Sequence, residues 1–327
     1  MSPTLRDSYG RGIEYLRISV TDRCNFRCRY CMPAAGLTWL PRSEILSYEE
    51  IAAVVTQLAP LGLRKLRITG GEPTLRPDLH VLIGLLRAVP GIEDISLSTN
   101  GVRLAELATP FRRAGLDRVN ISADSLRGDR IKSIARRNIE FEPIAAATAA
   151  ADAGLSPIKL NVVVMRGVND DEIGEFARLT FEHDWHVRFI ELMPVGEMRD
   201  LTRQHVVPSE EVLGRITSIG GLTPTAGPAR GNGPASYFRL EGARGTIGVI
   251  TPMSHTYCNS CNRVRLTADG RLRTCLFGDD EIDLRSPLRE GIPLEPFFRR
   301  ALATKPKEHQ LLQMKVGGLR ALSEVGG

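Results

Sequence analysis

Cys24, Cys28 and Cys31 fall within eight residues in the pattern C-x3-C-x2-C. So short a loop can wrap three thiolates around one inorganic centre. A cubane of four irons needs four protein ligands, one per iron. Three cysteines therefore leave one iron open, and an open iron can bind a substrate or cofactor. A zinc knot and three merely packed cysteines are the plain alternatives, although zinc normally takes four ligands with a second pair downstream. A second triad, Cys258, Cys261 and Cys275, spaced C-x2-C-x13-C, accounts for the remaining cysteines of the six. Here zinc, with His255 as fourth ligand, and a second open cluster stand on an equal footing, since C-x2-C serves both metals. Arg263 and Arg265 lie inside this triad, alternating with Val264 and Leu266, so both arginines share one strand face beside the metal.

Positioning such groups falls to the elements around them. An extended run over residues 14–20 leads into the first cysteine loop. Ser47-Tyr48-Glu49-Glu50 predicts a helix start, with Ser47 as N-cap, Glu50 at the capping-box position and the helix running to about Ala59. A strand over 64–69, the turn Gly70-Gly71-Glu72-Pro73 and a helix over 77–88 follow, and the beat repeats. Strands are predicted over 93–98, 117–123, 157–165 and 186–193, and helices over 102–114, 142–153 and 170–182. Ser98-Thr99-Asn100-Gly101 reads as ordinary turn chemistry. Six strands alternating with helices imply an α/β fold with a parallel sheet and right-handed crossovers. Six units fall short of the eight of a closed barrel. A partial (β/α)6 TIM-type barrel, open along one side, is expected over residues 1–200. Beyond Met193-Pro194 the composition shifts. Residues 220–234, rich in Gly, Pro and Ala, read as a loop or disordered connection. Short strands over 236–241 and 246–250 precede the second triad, so residues 201–327 are expected to form a smaller C-terminal α+β domain.

Side chains alternate across a strand. Arg17 and Ser19 share a face opposite Leu16, Ile18 and Val20; Lys65, Arg67 and Thr69 oppose Leu66 and Ile68; Ser96 and Ser98 oppose Ile95 and Leu97. Asn120 and Ser122 oppose Val119 and Ile121, and Lys159 and Asn161 oppose Leu160, Val162 and Val164. The apolar faces suit packing on helices, which turns the polar faces inward. A lumen filled only for stability carries layers of Val, Ile and Leu; this one would carry Arg17, Lys65, Arg67 and Lys159. Cations are costly to bury unpaired, and Glu191 is the carboxylate expected to pair with one of them. The surplus asks for an anionic ligand. No G-x4-G-K-[ST] phosphate loop occurs in the chain, so a nucleotide here would be held by side-chain cations.

A hydrophobic content of 42% with 25% charged residues argues for a globular chain rather than a disordered one, and 327 residues suit about two domains. No apolar run approaches ~18 residues, so no membrane span is expected, and the polar start has no secretory h-region. Cysteines in two triads, too few for a disulfide scaffold, point to metal in a reducing cytoplasm. A net charge of +5 suits nucleic acid or a pocket for a small anion. Cations dispersed along strands, with few aromatics, favour the pocket; neither nucleic acid nor membrane is an expected partner.

With Tyr30 just before its last cysteine and Gly70-Gly71-Glu72-Pro73 one strand later, the first triad resembles the signature of radical S-adenosylmethionine (SAM) enzymes. Cys258, Cys261 and Cys275 enclosing Arg263-Val264-Arg265, together with the terminal Gly326-Gly327, extend the likeness. From about Tyr15 to Gly327 the chain resembles the GTP 3′,8-cyclase family of molybdenum cofactor biosynthesis. The resemblance implies that Cys24, Cys28 and Cys31 hold one 4Fe–4S cluster, and that Cys258, Cys261 and Cys275 hold a second whose open iron binds the guanine. It implies that Tyr30, Gly71, Ser122 and Met193 contact SAM. It implies that Arg17, Arg67, Ser98, Lys159, Arg263, Val264 and Arg265 hold GTP, with Lys65 a further contact, and that the Gly326-Gly327 tail reaches into the active site. The implied lyase reaction takes hydrogen from C3′ of GTP with a 5′-deoxyadenosyl radical and joins C3′ to C8. The radical comes from the cofactor, so no side chain is itself catalytic. Implied partners are a reductant protein such as flavodoxin or ferredoxin and the downstream cyclic pyranopterin monophosphate synthase. The oligomeric state stays open, a homodimer being one form. Ser98 stands where the family commonly has Thr, and Leu322 and Val325 where Met and Ile are usual.

Two rival readings remain. A radical SAM peptide-maturing enzyme with an auxiliary cluster would share the first triad, but such enzymes usually carry more C-terminal cysteines and have no need for interior cations. A zinc-dependent nucleic-acid-binding module would need a clustered basic face with aromatics.

Overall fold

The computed structural model describes residues 5–194, 202–228, 233–309 and 320–326. Six parallel strands succeed one another in chain order: β1 (Tyr15–Ser19), β2 (Lys65–Thr69), β3 (Asp94–Thr99), β4 (Arg118–Ser122), β5 (Ile158–Val164) and β6 (His186–Glu191). The crossovers carry α1 (Tyr48–Leu58), α2 (Leu79–Arg87), α3 (Leu104–Ala114), α4 (Gly128–Ala135), α5 (Pro143–Asp152) and α6 (Ile173–Glu182). Each expected strand is present within a few residues of its predicted bounds. The capping box at the head of α1 forms as read: Glu50 N donates to Ser47 Oγ (3.1 Å) and Ser47 N to Glu50 Oε2 (2.7 Å).

The outward strand faces bury Leu16, Ile18, Leu66, Ile68, Leu97, Val119, Ile121, Leu160 and Val187 completely against the helices. At about 1.5–3 kcal/mol for each fully buried aliphatic side chain, this layer supplies much of the drive to fold. It also settles orientation, since one residue of register slip would turn every strand inside out. The inward face is thereby reserved for the polar residues.

The last third of the chain holds α7 (Thr202–His205), α8 (Ser209–Thr217), β7 (Leu222–Thr225), β8 (Ser236–Leu240), β9 (Thr246–Ile250), β10 (Arg263–Leu266), β11 (Arg271–Arg273), β12 (Glu281–Asp283), α9 (Arg285–Arg289) and α10 (Glu295–Ala303). Its strands do not build a sheet of their own. β10 lies parallel on β1 and β9 parallel on β6, with antiparallel strands beyond each, giving one twelve-stranded sheet that ends in β12 and β7. An open barrel leaves two rows of unpaired backbone groups, and the C-terminal strands satisfy both.

Two local expectations need correction. Residues 222–225, read as part of a loop, form β7, because Leu222-Thr-Pro-Thr225 can pair as an edge strand where proline is tolerated. A helix, α4, occupies Gly128–Ala135 where none was expected. Its apolar stripe is short (Ile131, Ile134, Ala135) and glycine opens it, so little local signal marks it. Among the described residues no helix is long and apolar enough to cross a membrane.

Candidate active site

The first cysteine loop is clamped from three sides. Gly71 N donates to Thr21 O (2.7 Å) and Glu72 N to Arg23 O (2.8 Å), docking the turn after β2 onto the strand exit. Asn100 Nδ2 donates to Asn25 Oδ1 (2.7 Å) from the turn after β3. Arg27 N and Arg29 N donate to Ala135 O (2.8 Å) and Ile134 O (3.2 Å), the last carbonyls of α4. The glycines of Gly70-Gly71 serve this docking first: a Cβ on Gly71 would overlap the backbone of Arg23 and Asp22. Glu72, fully buried, accepts from Thr74 N (3.0 Å), Thr74 Oγ1 (2.6 Å), Thr99 Oγ1 (2.7 Å) and Asn100 N (2.7 Å). The Ser98–Gly101 segment is therefore more than a turn, since two of its residues are tied by Glu72 to the glycine loop.

These loops enclose a cavity of about 170 Å³ lined by Cys24, Cys28, Cys31, Tyr30, Gly71, Ser98 and Ser122 among others. All six cysteines are free of disulfides. Burial pushes the Cys24 thiol up to about 11 and Cys31 to about 12, and holds Cys28 well above the ordinary thiol value. Three half-buried thiols that ionise only when something draws off their protons suit a metal cluster, whose binding releases those protons. Among the described residues no three His, Cys, Asp or Glu side chains gather closely enough to grip a single ion; a cubane binds its ligands through separate irons and does not require it. Tyr30 donates to Asp124 Oδ2 (2.6 Å), and Asp124 Oδ1 accepts from Val163 N (2.9 Å). Burial raises the Asp124 carboxyl to about 6. Met193 does not line this cavity; it packs with Cys31 against the small apolar cluster of Phe277 and Leu322.

Below the cavity the inward strand faces carry more cations than expected. Arg67, Lys159 and Arg265 are buried and Arg17 is half-buried, and Arg118, Arg188 and Arg273 are buried beside them. Register sets Arg265 next to Arg17 and Arg17 next to Arg67. Arg118 forms a bidentate pair with Asp94 (2.8 and 2.6 Å), Arg273 pairs with Glu281 (2.5 Å), and Arg188 Nη2 donates to Asn120 Oδ1 (2.8 Å). Burial would raise the Tyr15 phenol, but Arg67, Arg17, Arg118 and Arg263 outweigh it and bring it down to about 8. One more step of the same alternation reaches Tyr15, Asp94 and Arg118, which the sequence reading leaves out; Arg188 lies on β6, a strand to which that alternation is not extended.

Three expected residues stand differently. Glu191 pairs with no lumen cation. It lies on the opposite face from Arg188 and accepts from Ser209 N (3.1 Å), Met253 N (2.9 Å), Ser254 N (3.0 Å) and Ser254 Oγ (2.5 Å). Lys65 sits at the barrel's lower rim, partly exposed, with its ammonium 3.1 Å from Glu14. Val264 is fully buried on the face away from Arg263 and Arg265, so only its backbone faces inward.

In the second triad Cys258 is buried, and Cys261 and Cys275 are half-buried. His255, which could have completed a zinc site, is exposed and places Nε2 2.9 Å from Glu210 Oε1. Burial would raise the Cys261 thiol, but Lys305 and Arg263 outweigh it and lower the net value. The triad is not remote from the first. Cys275 packs on the same Phe277–Leu322 cluster as Cys31.

Among the described residues of the tail, Leu322 and Ser323 line the first cavity and Gly326 lies against Thr69. Arg320 is held by Asp269 (2.8 and 3.1 Å) and Glu281 (3.1 Å), and Leu322, Ser323 and Val325 are buried. Arg265 donates to Val325 O (3.2 Å) and Gly326 O (2.5 Å). Gly327 lies outside the described residues. Gly326 has φ +69°, and a Cβ there would strike Thr69 Oγ1. Gly326→Ala should therefore expel the tail. Hydrogen exchange of the amides over 321–326 is expected to rise at least tenfold; unchanged exchange would show that the seat tolerates a methyl group.

The radical SAM superfamily model matches residues 18–180, and the Molybdenum Cofactor Synthesis C model matches residues 185–311. Among solved structures, Streptococcus suis SuiB bound to S-adenosylmethionine superposes with a TM-score of 0.56 over 94% of this chain and 72% of that one, at 14% identity, a likeness of fold alone. An open parallel barrel with a clamped three-cysteine loop over its cavity defines a radical SAM enzyme. Two relatives are more specific. A GTP 3′,8-cyclase of Moorella thermoacetica is 49% identical over 99% of this chain and 100% of its own, and one of Pelotomaculum thermopropionicum 47% identical over 99% and 100%. The chain belongs to the GTP 3′,8-cyclase family.

Proposed function

We propose that the protein is a radical SAM GTP 3′,8-cyclase, a lyase that converts GTP to (8S)-3′,8-cyclo-7,8-dihydroguanosine 5′-triphosphate in the first step of molybdenum cofactor biosynthesis. Residues 1–200 serve the first 4Fe–4S cluster and SAM; residues 201–327 serve the second cluster and supply the tail. One observation carries this reading. Cys31 of the early triad and Cys275 of the late one meet on one apolar cluster, from which the tail runs on to Arg265 in the basic lumen.

Cys24, Cys28 and Cys31 hold the first cluster, and Cys258, Cys261 and Cys275 the second. When bound, the first cluster and SAM together supply one-electron cleavage of SAM and the radical that removes the C3′ hydrogen. The chain's own part is placement. Tyr30, Gly71 and Ser122 line the cavity that would receive SAM, and Met193, packed with Cys31 on the neighbouring apolar cluster, would flank it. Arg17, Arg67, Ser98, Lys159, Arg263, Arg265 and the backbone at Val264 receive GTP, the cations meeting its phosphates through charge-assisted hydrogen bonds. Lys65, already paired with Glu14, contributes through the field it adds at the rim. A reductant protein such as flavodoxin or ferredoxin supplies electrons, cyclic pyranopterin monophosphate synthase takes the product, and the setting is the cytoplasm. A peptide-maturing role gains nothing from the basic lumen.

Lys159 gives a pH test of nucleotide placement. Burial first, then Arg188, Arg118 and Arg67, depress its ammonium from an ordinary 10.5 to about 5. Between those values the unfolded chain binds a proton that the ligand-free fold does not, so this residue's destabilising contribution shrinks as pH rises. A triphosphate reverses the balance and draws the proton back. GTP binding at pH 7 should take up about one proton per site, measured by calorimetry in buffers of different ionisation heat, and Lys159→Met should abolish the uptake. No uptake in the unsubstituted protein would mean that the triphosphate does not reach Lys159.

The whole reading is tested by anaerobic reconstitution with iron and sulfide, followed by SAM, GTP and dithionite. Formation of 5′-deoxyadenosine that depends on GTP, with a product in which C3′ is bonded to C8, is expected. Equal 5′-deoxyadenosine with and without GTP would overturn the substrate.

A further inference from the structure

Lys305 follows α10 and is 3% exposed, yet it does not line the first cavity. Its ammonium spends all three donors beside the late triad: on Thr274 O (2.5 Å), on Arg263 O (3.1 Å) and on Cys261 Sγ (3.5 Å). Thr274 precedes Cys275, and Arg263 lies two residues past Cys261. One side chain thus joins both arms of the triad. The segment that carries it is itself anchored. Arg11 donates to Pro306 O (2.7 Å), Lys307 O (2.8 Å) and Cys258 O (2.7 Å), and Asp7 holds Arg11 (2.5 Å).

Among the described residues no carboxylate lies within ion-pair distance of Lys305. A buried cation without a counter-charge is costly, and a staple for two carbonyls alone could be made by a neutral donor. What this site offers the charge is sulfur. On the reading that Cys258, Cys261 and Cys275 hold an iron–sulfur cluster, we propose that Lys305 is the positioning and tuning residue of that centre. It fixes the rotamer of Cys261, ties the two ligand arms together and raises the reduction potential by stabilising charge on the Cys261 sulfur. Hydrogen bonds to cluster sulfurs and local net charge are levers of exactly this kind on potential.

The test uses the full chain with Cys24, Cys28 and Cys31 replaced by alanine, so that only the late triad can load. After anaerobic reconstitution this background should bind about four irons. In it, Lys305→Gln and Lys305→Met are compared with Lys305→Arg by iron and sulfide content, electron paramagnetic resonance and a redox titration. The Gln and Met variants should have a lower midpoint potential, by about the 59 mV that corresponds to a tenfold change in a one-electron couple. The Arg variant should stay near the parent. Loss of iron in Gln and Met with retention in Arg also supports the role. An unmoved midpoint in iron-loaded Gln and Met variants overturns it, as does loss of iron in all three, which would make Lys305 a packing residue. A background that binds no iron overturns the cluster reading itself, and this inference with it.

Discussion

With alanine at Cys24, Cys28 and Cys31 together, the chain is expected to form no 5′-deoxyadenosine from SAM and dithionite, and, if both triads load as proposed, to keep about half the iron of the unsubstituted protein. The rate should fall to background, by at least about the 10⁶-fold that separates enzymatic from uncatalysed reactions. The early thiols line the cavity with Tyr30, Gly71 and Ser122, whereas the late thiols do not. The fold should survive the substitution. The loop is held chiefly by backbone bonds to Thr21, Arg23, Ile134 and Ala135 and by Asn25, none of which uses a cysteine side chain. Far-ultraviolet circular dichroism should be unchanged. Persistent 5′-deoxyadenosine would mean that SAM is opened elsewhere, and loss of all the iron would mean that the late triad does not load by itself.

The second large effect is on stability. Asp94→Ala removes the bidentate partner of Arg118, whose side chain has no exposure at all. Breaking a buried ion pair from one side costs about 3–5 kcal/mol, a large share of the roughly 5–15 kcal/mol that holds most proteins folded. The cost should lie at the upper end here. Arg67 and Arg188 are buried nearby and add to the field on Arg118 that Asp94 offsets. A large drop in the urea midpoint is expected, and Asp94→Leu combined with Arg118→Met should recover most of it. A single substitution within 1 kcal/mol of the parent would show that water or other residues already neutralise the lumen.

The fold was largely legible because its signals are local and repeated. Alternation within β1 to β5 assigned the inward face correctly, and the Ser47–Glu50 capping box gave the start of α1. The two cysteine triads, Gly70-Gly71-Glu72-Pro73 and the glycine tail were equally open to reading, since each is a short, uncommon pattern. What escaped depends on distance. Nothing near Glu191 says that its partners are the backbone amides of residues 209, 253 and 254. Nothing near Lys305 says that it closes over Cys261. Strand parity, applied consistently, would have placed Glu191 on the outer face and added Asp94, Arg118 and Arg188 to the inner one. The attachment of β10 to β1 and of β9 to β6 has no sequence signal at all, because an edge strand does not encode which edge it completes.

That attachment has a consequence for synthesis. Tyr15 of β1 is among the first residues of the fold to leave the ribosome, but its neighbour Arg263 is among the later ones. Through most of translation the nascent barrel therefore presents a bare strand to whatever else is in solution, and pairing over so long a loop is slow. Ribosome-stalled chains ending before β10 should depend on a holding chaperone to stay monomeric, and chains released after it should not.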